Sequence, residues 1–125
     1  MSNTPTKATI YENTGLTCMA RITGEDASYV EQSDISSIGL KIFADDSTSA
    51  SIDASLTVAD VVFDTLQTDS RWTTDSTGYN FKYEIASAGF PDGDVTYRCE
   101  FKFIPTSGNT WYVVFSVDTV EIRGI

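Results

Sequence analysis

Apolar and polar residues alternate along much of this chain with a period of two, the spacing of strands that bury one face. Lys7–Glu12 (KATIYE) is a short candidate strand. In Leu16–Thr23, Leu16, Cys18, Ala20 and Ile22 share one face, and Thr17, Met19, Arg21 and Thr23 the other. Ile38, Leu40 and Ile42 alternate within Ser37–Phe43, as do Tyr79, Phe81, Tyr83 and Ile85 farther on. Val95, Tyr97, Cys99, Phe101 and Phe103 form the clearest run. Trp111, Val113, Phe115 and Val117 follow it, and Val120–Ile125 reads as a last edge strand.

Between these runs lie turn-forming residues. Gly24 to Asp34 is a polar connection, and Ala44–Ser55 is an acidic, Ser-rich loop. Asp75-Ser76-Thr77-Gly78, Pro91-Asp92-Gly93-Asp94 and Pro105-Thr106-Ser107-Gly108-Asn109 mark tight reversals. Thr57-Val58-Ala59-Asp60 resembles a capping box with Asp in place of Glu. It predicts the one helix, over residues 59–66, with Val62, Phe63 and Leu66 on its buried side. Residues 1–8, small and polar at their start, read as a flexible arm ahead of a single domain at 9–125. About seven short strands with a turn roughly every ten residues predict an all-β, antiparallel sandwich, with a closed barrel as the alternative.

Composition narrows the function. Eight basic against 18 acidic residues leave a net charge of −10, which repels nucleic acid and anionic lipid. No apolar run reaches the roughly 20 residues of a membrane span. There is no histidine, so the commonest general base and metal ligand is absent. Gly-x-Ser-x-Gly, Gly-x-Gly-x-x-Gly and P-loop motifs do not occur. No catalytic, cofactor-binding or metal site is therefore expected. The acidic turns at Asp45-Asp46, Asp75 and Asp92/Asp94 lack EF-hand spacing and read as solvated surface. Trp72, Trp111 and Tyr112 are a candidate sugar-stacking platform. Trp111 nevertheless fits the inward face of its strand, which leaves Trp72 as the more exposed member.

Two cysteines, Cys18 and Cys99, both fall on predicted core faces. An early-strand Cys with a late Tyr97-Arg98-Cys99 resembles the immunoglobulin pattern, whose tyrosine corner stands two residues before the second Cys. No Trp lies at the expected distance after Cys18, so the reading is an immunoglobulin-like sandwich and no narrower family. A bridge across the intervening loop of about 80 residues contributes roughly 4–5 kcal/mol on the chain-entropy model. The alternative is a pair of reduced core thiols, which the lack of a secretion signal at the N-terminus favours.

Longer segments carry a further likeness. Ile10–Thr17, Arg21–Asp26, the block Leu56–Val58 through Phe63–Gln67, Trp72–Phe81 and Tyr97–Phe101 resemble small structural proteins of tailed bacteriophages. That resemblance spans about residues 9–117. It implies a non-enzymatic virion component assembled in the host cytoplasm: a capsid decoration (cement) protein, or a tail, baseplate or connector module. Implied partners are the major capsid protein or tail proteins, with a homodimer or trimer expected. The expected contact segments are the arm (Ser2, Asn3, Thr4, Pro5, Thr6, Lys7), the 24–34 loop with Tyr29, and the tail with Ile122 and Ile125. A carbohydrate-binding adhesion module is the competing class.

Overall fold

The computed structural model describes residues 6–24 and 26–124. Among these residues eight strands form: Thr6–Tyr11 (β1), Leu16–Ala20 (β2), Ile35–Ala44 (β3), Ile52–Leu56 (β4), Val62–Gln67 (β5), Tyr79–Ile85 (β6), Thr96–Pro105 (β7) and Trp111–Val120 (β8). One helical turn, α1 (Val58–Val61), precedes β5. The strands make two sheets, one in the order β1-β8-β7-β3-β4 and the other β2-β6-β5.

This is an immunoglobulin-like all-β sandwich. β2-β6-β5 takes the place of strands B-E-D, and β8-β7-β3-β4 that of G-F-C-C′. The tyrosine corner is present: the Tyr97 hydroxyl accepts a hydrogen bond from the Asp92 backbone N–H at 3.1 Å. The tryptophan of that fold is replaced. β3 turns Ile38, Leu40 and Ile42 inward, opposite Phe103, Phe101 and Cys99.

The core forms because the two inward faces are almost wholly apolar. Phe81, from the smaller sheet, meets Phe101 and Phe103, from the larger, edge to face, with ring centroids 5.0 and 5.4 Å apart. Such pairs add about 0.5–1.5 kcal/mol each beyond the area they bury. Cys18 and Cys99 are fully buried free thiols. Burial pushes both thiols up, Cys99 to about 12; Cys18 is raised further by its closeness to Cys99.

Four expectations need correction. The arm does not extend to residue 8: Thr6, Lys7 and Ala8 open β1, which runs parallel to β8 in the register Thr6↔Phe115 to Tyr11↔Val120. The sandwich is thus not wholly antiparallel. The helix is a single turn, and Thr57 makes no side-chain cap. From Val62 the chain is extended because β-branched and aromatic residues suit a strand, and the β6 edge offers it a ladder at Val62↔Phe81 and Gln67↔Tyr79. The Ser-rich 44–55 loop is shorter than its composition implied, since Ile52–Leu56 pairs with β3. Finally, the tail adds no strand: β8 already runs to Val120, and residues 121–124 are not extended ladder.

Candidate functional site

The described part of β1 pairs with β8 from Thr6↔Phe115 onward, and Trp111–Val114 has no described strand on that side. Beside this stretch of β8 lies a groove of about 530 Å³ between the two sheets. Met19 and Arg21 at the end of β2 form one wall, Trp111, Val113 and Val114 the other, and Trp72 and Thr74 of the β5–β6 loop close it.

The β5–β6 loop is held by one carboxylate. Asp75 accepts hydrogen bonds from the Trp72 indole (3.1 Å) and from the backbone N–H groups of Thr77 (3.0 Å) and Gly78 (3.1 Å). It also pairs with Arg21 at 2.8 Å. The Trp72 bond, the Gly78 amide and Arg21 together hold its acid well below the usual range, at about 2. Trp72 leans on Tyr79 with centroids 5.6 Å apart. Tyr79 in turn donates from its hydroxyl to Asp69 at 2.8 Å. Gly78, at φ +106°, lies where an added Cβ would fall 2.3 Å from the Gln67 carbonyl oxygen, so only glycine lets the loop close here.

Trp111 is the hinge of the site. Its ring stacks on Phe103 (5.4 Å, 6° between planes). Its Nε1–H is buried and has no hydrogen-bond partner among the described residues. Leaving such a donor unmet costs about 1–3 kcal/mol, so an incoming acceptor is favoured. Trp111 also borders a second hollow of about 250 Å³, between the β2–β3 loop (Asp26, Ser28, Asp34) and the β7–β8 loop (Thr106, Ser107, Asn109). In immunoglobulin variable domains the loops at this end bind ligand.

The arrangement can hold an extended chain or a flat ring against two indoles. Arg21 is already paired with Asp75. Among the described residues, no three His, Cys, Asp or Glu side chains converge as a metal site.

The residues singled out in the sequence do not form one surface. Thr6 borders the tryptophan groove. Lys7 projects from the outer face of the larger sheet, next to Ser116. Tyr29 is exposed in the β2–β3 loop, bridging to Thr23. Ile122 lies at the opposite end, its N–H bonded to the Glu12 carboxylate at 2.8 Å. Ser2, Asn3, Thr4, Pro5 and Ile125 fall outside the described residues. Of the aromatic platform, Trp72 and Trp111 do share a groove, whereas Tyr112 points out of the other face of β8. Met19, Arg21 and Asp75 were missed as groove builders. The spacing Trp72-x-x-Asp75-x-x-Gly78 is the one local trace of the loop they make.

No family model, no curated protein and no solved structure matches this chain.

Proposed function

We propose that this domain is a non-enzymatic assembly protein of a tailed-phage particle, a capsid decoration protein that grips its neighbour by strand addition beside Trp111 of β8. The observation that carries the binding mode is Trp111. Among the described residues its edge has no paired strand on one side and its buried indole N–H no acceptor, and the carbonyl row of an added strand would supply one. The immunoglobulin-like frame and the likeness to phage structural proteins support the setting. A tail, baseplate or connector position is the variant of the same reading.

Quantitative mass spectrometry of purified particles tests the setting. Near parity with the shell protein supports decoration, a low multiple of three or six moves the protein to the tail, and absence from the particle overturns both. Glycan binding is the second reading, favoured by the meeting of Trp72 and Trp111 in one groove. A change in tryptophan fluorescence on adding cell-surface polysaccharide, without attachment to particles, would select it.

A further inference from the structure

Among the described residues, four of the five large apolar side chains that stand well exposed lie on one surface: Tyr11 (58%), Tyr112 (47%), Val120 (41%) and Ile104 (39%). The pleat puts them there. With Phe115 and Val117 of β8, and Phe101 and Phe103 of β7, turned into the core, the alternate positions face out from the five-stranded sheet. Half-exposed Phe43 and Val114 share that face. A grouped apolar surface of this kind marks a contact site far better than scattered single residues do.

Charge sets the same surface apart. Lys7, Lys41, Arg98 and Lys102 stand on it, four of the chain's eight basic residues. Asp53, Glu100 and Asp118 stand there too, only three of the 18 acidic ones. The face is near neutral, while the rest of the chain holds four basic against fifteen acidic residues. Lys41 pairs with Asp53 and Arg98 with Glu100. Lys7 and Lys102 make no ion pair among the described residues.

We infer that the outer face of the five-stranded sheet binds a second copy of this chain, face to face, as an isologous dimer. A strongly acidic partner would match a surplus of positive charge, and a basic partner would choose the acidic remainder of the molecule. A face with both signs in balance and exposed aromatics is complementary to itself. Two chains of net charge −10 repel least when these faces meet and their acidic surfaces point apart. The area suffices. Strands of these lengths spaced about 4.8 Å apart cover roughly 650 Å² per copy, or about 1,300 Å² in total, within the size of specific interfaces. The inference goes beyond the strand-addition reading, which uses a different edge and does not depend on dimerisation.

Sedimentation equilibrium of the whole chain tests it. The wild type is expected to dimerise with a micromolar Kd. The double change Tyr112→Glu with Ile104→Glu is expected to weaken the dimer by about 30-fold or more. Tyr29→Glu, an equally exposed aromatic off this face, is expected to leave it unchanged. A wild type that stays monomeric to about 100 µM, well above such a Kd, overturns the inference; so does a dimer indifferent to the double change. A second measurement needs no variant. Acylation of Lys41 and Lys102 should slow as protein concentration rises, while Lys82 on the smaller sheet keeps its rate. Equal rates at all three lysines across the dimer's concentration range overturn the inference as well.

Discussion

At the end of the sandwich where β1 runs out, every connection is tied to its neighbour. The Thr119 hydroxyl donates to the Asp92 carbonyl at 2.7 Å and accepts from the Val95 N–H at 3.1 Å. Tyr97 holds Asp92, the Asn13 N–H reaches the Phe90 carbonyl, and Glu12 holds Ile122. The tryptophan end has a clamp of the same kind at its root. The buried Asn80 side chain accepts from the Ile22 N–H (2.7 Å) and donates to the carbonyls of Ile22 (2.9 Å) and Val30 (3.0 Å). Asn80 and Thr119 are the two buried polar side chains among the described residues, one per end. Beyond Asn80, however, the tryptophan end is less tied: among the described residues Trp111–Val114 pairs with β7 alone and the Trp111 indole has no acceptor. Buried polar groups are almost always satisfied, so the Trp111 donor is the point at which the proposed partner would complete this end.

Four expected outcomes press on that contrast. The largest concerns its foundation. Asn80→Ala removes three hydrogen bonds and leaves the Ile22 N–H and the Val30 carbonyl without that partner, the Ile22 carbonyl keeping the Val30 N–H; it should cost about 3 kcal/mol in urea unfolding, with faster amide exchange at Ile22 and Val30. A loss below about 1 kcal/mol would mean that the tryptophan end is not clamped at its root. At the tied end, Tyr97→Phe removes one hydrogen bond to a backbone amide that water can then reach. About 1 kcal/mol is expected, with no effect on ligand or particle binding.

Acid should separate the ends further. The Asp75 carboxyl is held at about 2, below its unfolded value near 4. Its contribution is therefore fully present above about pH 4 and is lost as pH falls towards 2. The Trp72 loop is expected to loosen in that window, seen as a tryptophan emission shift. Asp75→Asn should already show the loosened emission at neutral pH and no acid step; an unchanged acid step in that variant would place its origin elsewhere. Smallest in stability is Trp72→Ala, a half-buried side chain at a loop. It should shift unfolding by about 1 kcal/mol or less yet abolish attachment at the groove. Full attachment by this variant would remove Trp72 from the site.

Much of the frame was legible because alternation reports which face of a strand is buried whatever its partner. Leu16–Ala20, Tyr79–Ile85, Thr96–Pro105 and Trp111–Val120 sit where their patterns put them, and Tyr97-Arg98-Cys99 announced the corner. The errors share one cause. Val58–Gln67 carries local helix-start residues followed by a Val61-Val62-Phe63 run, and the choice between continued helix and strand was made by the β6 edge waiting beside it. Ile52–Leu56 is too short and too polar to declare itself without β3, and Thr6–Ala8 without β8.

The sequence by itself determined a two-faced β domain with an apolar core, a tyrosine corner, an acidic surface and no histidine for catalysis, since these depend on residue type and on the two-residue pleat. Only the tertiary structure decided that β1 crosses to run parallel with β8. It alone brought Trp72 and Trp111, 39 positions apart, to one groove. It alone gathered four of the basic residues on one sheet face. Those facts depend on which strands become neighbours, and that is settled by packing between segments distant in the chain, about which no local pattern carries information.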